Sequence, residues 1–131
     1  RRFLMFELMI KSSISAAHRL EEYGGKCEDL HGHNWRIDVF VRTEKLDDLG
    51  LALDFRIIKE KTDEALEELD HKYLNELSCF DGSNPSSERI AQYIYRKLSE
   101  LLNDERVWVS KVTAWESDTA CVSYSSSKDK L

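Results

Sequence analysis

Cysteine, histidine and uninterrupted apolar sequence are all scarce in this chain, and each scarcity excludes something. The three cysteines, Cys27, Cys79 and Cys121, are widely spaced and form no Cys-x-x-Cys pair. That argues against a disulfide framework and a zinc ribbon, and it suits a reducing, cytoplasmic setting. No apolar run approaches the roughly 20 residues that cross a bilayer, and no signal-peptide pattern opens the sequence, so no membrane partner is expected. Positive charge is in deficit, with 19 Lys and Arg against 25 Asp and Glu and a net charge of −6. Broad nucleic-acid binding needs a basic surface and is not expected either, although a local basic pocket for a small anion is compatible with this balance. Repeats, linkers and low-complexity stretches are also missing. The reading is one soluble domain over residues 1–131, long enough to bury a core without disulfide staples.

Against that background the histidines stand out, because half of the four fall in one stretch, Cys27-Glu28-Asp29-Leu30-His31-Gly32-His33-Asn34-Trp35. If the segment from His31 onward is extended, a period of two puts His31 and His33 on one face, about 7 Å apart at Cα. Trp35, Ile37, Val39 and Val41 share that parity, so both imidazoles point to the apolar side. Gly32 between them leaves the backbone room to bend. A His-x-His pair is a weak signal alone and needs a third ligand. Upstream, Phe6, Leu8 and Ile10 alternate with Glu7, Met9 and Lys11, the period of a half-buried strand from about Phe3. The same parity runs through Ile14 and Ala16 to His18, unless a bulge intervenes. The polar loop 19–30 then leads to a second strand from about His33 to Thr43, rich in β-branched and aromatic residues. The two form an antiparallel ribbon with three histidines near one end.

A helix follows, capped by Asp54, with Phe55, Ile58, Thr62, Ala65, Leu66 and Leu69 at three- and four-residue steps and its end near Asp70-His71. The loop 78–86 carries turn signals. Pro85 suits the first turn of a second helix, whose stripe is Ile90, Ile94, Leu98 and Leu101. Strands over about Val107–Glu116 and Ala120–Ser125 close the chain, and the end after Tyr124 reads as frayed. The order ββααββ predicts an α+β fold, a four-stranded antiparallel sheet with two helices on one face.

Taken together, His18, then C-x-x-x-H-G-H-N, Leu-Asp-His-x-x-Leu-Asn at 69–75, Asn-Pro-x-x-Glu at 84–88 and Trp-Glu at 115–116 resemble the 6-pyruvoyltetrahydropterin synthase family. These motifs occur in the family's order over nearly the whole chain. The resemblance implies the tunnelling fold (T-fold), with sheets joined into barrels and two trimers stacked as a hexamer. It implies zinc as cofactor and a dihydropterin triphosphate as small-molecule substrate. Cys27 precedes His31 by four residues, which is similar to the bacterial branch that forms 6-carboxytetrahydropterin for queuosine and other 7-deazapurines. The branch that forms the pyruvoyl product, and a non-catalytic zinc- or pterin-binding module, are the alternatives. Retention of Cys27, Asp70, His71 and Glu116 together argues against the module.

Residue by residue, the resemblance makes His18, His31 and His33 zinc ligands that leave a fourth position open. It makes Cys27 a catalytic thiol activated by a nearby cation, and Asp70 with His71 an acid–base dyad. Glu116 would hold the pterin through paired N–H donors, with Ser87 and Glu88 beside it. Each has a plainer competitor. The histidines could be satisfied by backbone hydrogen bonds, and Cys27 could be an ordinary loop residue. His71 could complement a helix C-terminus, Glu116 could end a strand at the surface, and Ser87 and Glu88 could be first-turn residues. Trp35 stands where Tyr or Phe is commoner, and Ser86 where Thr is. Cys79 and Cys121 match nothing catalytic and read as structural.

Overall fold

A computed structural model describes residues 4–22 and 28–126. Strand β1 spans Phe6–His18 and β2 spans His31–Thr43. The helices are α1, Phe55–Leu66, and α2, Ser87–Leu102. Strands β3, Val107–Ser117, and β4, Ala120–Ser125, complete an antiparallel sheet of order β1-β2-β3-β4. Phe3 and the tail from 127 lie outside the described residues.

The predicted parity holds along the whole ribbon. β1 and β2 pair without a shift from Phe6 opposite Thr43 to His18 opposite His31. Ile14, Ala16, Trp35, Ile37, Val39 and Val41 therefore all reach the core between sheet and helices. A one-residue slip would turn every one of them to the other face. Strand β3 keeps its own apolar face only by bulging. Phe40 pairs with Lys111 but Val41 pairs with Val109, which leaves Ser110 as the extra residue. Val107 and Val109 thereby join Val112 and Ala114 on the helix side, although the two pairs differ in parity.

Both helices differ in detail from the sequence-based expectation. Asp54 caps α1 by accepting the Arg56 N–H at 2.8 Å. The helix stops at Leu66, short of Asp70, and a turn carries Leu69 into the core before the chain reaches His71. Phe55 is exposed, not part of the stripe. Thr62 is buried because its hydroxyl donates to the Ile58 carbonyl at 2.7 Å. In α2 the cap is Ser86, which accepts the Arg89 N–H, so Pro85 lies just outside the helix. The stripe Ile90, Ile94, Leu98 continues in steps of four to buried Leu102, with Leu101 only half-buried.

These differences in burial set the expected costs. Ile94→Ala empties a fully enclosed position and should lower the unfolding free energy by about 2–5 kcal/mol. Asp54→Ala, which removes one side-chain cap at the surface, should cost much less. Denaturant unfolding of both variants measures the ratio.

Candidate functional site

The unshifted ribbon brings His18, His31 and His33 together at one end of the sheet, with one ring nitrogen from each within 4.8 Å of the others. Backbone carbonyls orient two of the rings. His18 Nδ1 lies 2.8 Å from the Pro85 carbonyl, and His31 Nδ1 lies 2.8 Å from the Asp29 carbonyl. Carbonyl oxygens only accept, so both Nδ1 atoms carry their protons. In the neutral tautomers this selects, the Nε2 atoms of His18 and His31 face each other at 3.0 Å with lone pairs. Two facing lone pairs call for a cation between them. The separation approaches the roughly 3.3 Å edge of a tetrahedron with 2.0–2.1 Å bonds, as in nitrogen-ligated zinc. The backbone-bonded histidines imagined as the plain alternative are thus bonded in just the way that frees them for an ion. Burial holds the pKa of His33 below its ordinary value of 6.5, with His18 and His31 adding to the effect and Glu116 opposing it. A neutral imidazole is the metal-binding form. The three residues can hold a metal ion.

Beside the cluster lies a cleft of about 250 Å³ lined by His18, Ser87, Glu88, Glu116 and Cys121. Glu116 reaches it because Trp115 pairs with Cys121 while Ser117 pairs with Ala120, leaving Glu116 as the extra residue of a second bulge. Its Oε1 accepts the Ser87 hydroxyl at 3.2 Å and lies 3.7 Å from His33 Nε2. Ser87 in turn accepts the Trp35 indole N–H at 3.0 Å. Cys121 is exposed on this wall and Cys79 is exposed elsewhere, so neither is a packing residue. Burial raises the Cys79 thiol above its ordinary pKa, with Glu68 adding to it.

Asp70 and His71 do pair, with Oδ2 3.1 Å from Nδ1, but away from this cleft. The other carboxylate oxygen accepts the Ser15 N–H at 2.8 Å, and the His71 N–H donates to the Ser15 carbonyl. The dyad is therefore fixed on the outer edge of β1, the edge turned away from β2. His71 adopts a left-handed φ of 60° there, and its side chain is 80% exposed. Cys27 lies outside the described residues. Asn75 and Asn84, visible in the sequence only as letters of the motifs, turn out to clamp backbone. Asn75 bonds both the N–H and the carbonyl of Arg19, and Asn84 does the same for Glu21. They hold the backbone at Arg19 and Glu21, just past the end of β1 at His18. Turn composition hinted at loops there, but no local signal announces a side-chain amide acting as a strand.

Comparison with known proteins adds kinship to the geometry. A family model described as 6-pyruvoyl tetrahydropterin synthase matches residues 7–127. A 6-carboxy-5,6,7,8-tetrahydropterin synthase from Synechocystis is 39% identical over 93 residues, covering 67% of this chain and 70% of that protein. A dihydroneopterin monophosphate aldolase from Pyrococcus furiosus is 32% identical over 111 residues, covering 83% and 88%. The solved 6-pyruvoyl tetrahydropterin synthase of Caenorhabditis elegans superposes with a TM-score of 0.80 at 24% identity, covering 96% of this chain and 99% of that one. The ββααββ order is that shared T-fold.

One metal ion per chain is expected by elemental analysis, and His31→Ala should lose it. Protons compete for the same nitrogens, so metal should be released as the pH falls. In the metal-free protein the sign is the same. A lowered pKa means the folded chain binds this proton less readily than the unfolded chain. Stability from His33 is then fully present above the ordinary 6.5 and lost as the pH falls below it, through the lowered folded-state pKa. Thermal unfolding with and without chelator across that range checks both statements.

Proposed function

The chain belongs to the 6-pyruvoyl tetrahydropterin synthase family, and from that premise we propose that it is a zinc-dependent 6-carboxytetrahydropterin synthase. Its substrate is 7,8-dihydroneopterin triphosphate and its products are 6-carboxy-5,6,7,8-tetrahydropterin, acetaldehyde and triphosphate, a cytoplasmic step toward queuosine and related 7-deazapurines. The observation that carries the reading is the convergence of His18, His31 and His33, with the Nε2 atoms of His18 and His31 3.0 Å apart, beside a cleft that His18 and Glu116 both line. His18, His31 and His33 hold the zinc. When bound, it supplies Lewis-acid polarisation of the substrate's side-chain oxygens. Glu116 accepts paired N–H donors from the pterin, which fixes the ring and hence the side chain. Ser87 and Glu88 line the same cleft.

Cys27 and the Asp70–His71 pair move protons on the side chain. The role of Cys27 rests on its four-residue spacing from His31. For the dyad, one chain is not enough. Its anchor at Ser15 is three residues, about 10 Å, along the strand from His18 and on an outer edge. A second copy therefore supplies the dyad to each cleft, in a homo-oligomer read as a hexamer of two stacked trimers. The Pyrococcus furiosus relative favours a second reading, aldol cleavage of a dihydroneopterin monophosphate.

Incubation with the triphosphate should release acetaldehyde and triphosphate in equal amounts. Triphosphate without acetaldehyde, with the three-carbon side chain retained, would establish the pyruvoyl-forming activity instead. Turnover of the monophosphate alone would establish the aldolase, and binding without turnover a module. Shared sites make a second outcome testable. Cys27→Ala and His71→Ala should each be inactive while keeping zinc. Mixed and reassembled in equal amounts, they should regain up to about a quarter of wild-type activity, the share of boundaries that pair an intact Cys27 with an intact His71.

A further inference from the structure

The buried face of the cleft contains a hydrogen-bond chain whose direction is forced by chemistry. Trp35 is fully buried, and its indole Nε1–H can only donate. It donates to Ser87 Oγ at 3.0 Å. A carboxylate can only accept, and Glu116 Oε1 lies 3.2 Å from the same hydroxyl. With a donor-only group on one side and an acceptor-only group on the other, the single Ser87 proton has one place to go. Without Trp35, that hydroxyl could rotate or take a proton from water, since Ser87 opens α2 beside the cleft.

We propose that Trp35 is a positioning residue for the pterin-holding carboxylate: its indole N–H locks the Ser87 hydroxyl, which in turn orients Glu116. The role rests on the reading of Glu116 as the pterin acceptor. Glu116 needs such support because it sits at a bulge and its side chain is 42% exposed. Orienting a carboxylate before the ligand arrives removes an ordering cost from binding. The same indole packs edge-on against the His18 and His33 rings, with centroids 5.0 Å away in each case. One side chain therefore braces the histidine cluster by its ring and the carboxylate by its N–H. Phe at this place would keep the first contact and lack the indole donor.

The test separates the two contacts. Trp35→Phe keeps a ring but removes the N–H, Ser87→Ala removes the relay, and Ser87→Thr keeps a hydroxyl. Neopterin serves as the probe, titrated by fluorescence onto the zinc-loaded oligomer, with zinc content and melting temperature followed alongside. Trp35→Phe and Ser87→Ala should each weaken neopterin roughly three- to tenfold, the worth of one hydrogen bond. The double variant should be no worse than Ser87→Ala, and Ser87→Thr, which keeps a hydroxyl, should recover most of the binding that Ser87→Ala loses. In turnover the loss should fall on KM with kcat nearly unchanged, since the pterin is held alike before and during reaction. If Ser87→Ala binds as wild type while Glu116→Gln loses binding, the relay is refuted and the pterin reading stands. Additive losses in the double variant would also refute it. The Ser87→Ala arm survives even if Trp35→Phe does not fold, because Ser87→Ala and Ser87→Thr leave the core intact. Wild type that takes no neopterin would overturn the pterin reading, and this proposal with it.

Discussion

Everything at the site depends on the register between β1 and β2. Thirteen residue pairs run from Phe6 opposite Thr43 to His18 opposite His31 without a shift. The ribbon's core face is also its histidine face, so the residues that make the ribbon stable are those that fix where the imidazoles meet. A one-residue slip would part the histidines and turn Trp35, Ile37, Val39 and Val41, all fully buried, away from the core. Burying side chains of that size contributes about 1.5–3 kcal/mol each. The site is held by the core, and local hydrogen bonds from Pro85 and Asp29 only finish the aim.

Strand β3 shows the complementary device. Its two bulges do different things with one extra residue. At Ser110 the bulge repairs the apolar face, since Val109 and Val112 could not otherwise point the same way. At Glu116 it leaves one residue without a partner on β4, and the carboxylate of that residue lines the cleft. Neither was legible in the sequence. Val107-Trp108-Val109 and Val112-Thr113-Ala114 each read as strand, but the break in parity between them is decided by β2, through Phe40 and Val41.

The contrast explains which inferences from sequence succeed. Period-two reading found His18, His31 and His33 because β1 and β2 pair regularly, so local pattern and tertiary position agree. The helix stripes were legible for the same reason, failing at the ends where Leu66 and Pro85 meet their turns. Asp70 and His71 were recognisable as a pair, yet adjacency in sequence carries no information about which edge of a sheet they occupy. That is decided by two backbone bonds to Ser15 from 55 and 56 residues away. Trp35 looked like a core residue and is one. Its second use, through Ser87, depends on the N-terminus of α2 arriving above it, which no window around residue 35 contains.

The placement of the dyad constrains what the functional unit can be. β1 and β4 are the two edges of the sheet, and the register sets their histidine and cleft ends side by side. His18 faces His31, Arg36 faces Trp115, and Trp115 faces Cys121, so the dyad at Ser15 and the cleft wall at Cys121 lie toward the same end but on opposite flanks. The cleft takes lining residues from both flanks, His18 of β1 and Cys121 of β4, but neither member of the dyad is among them. The chain at 70–73 already covers the β1 edge beside Ser15 and Ala17, and joining the rest of that edge to the β4 edge of the next copy would cover both. It would also bring each dyad beside the neighbour's cleft. Such a contact is head-to-tail, and it ends only when the sheets close into a ring. On the proposed reading, the edges that make a lone sheet prone to association would be the same edges that complete the site.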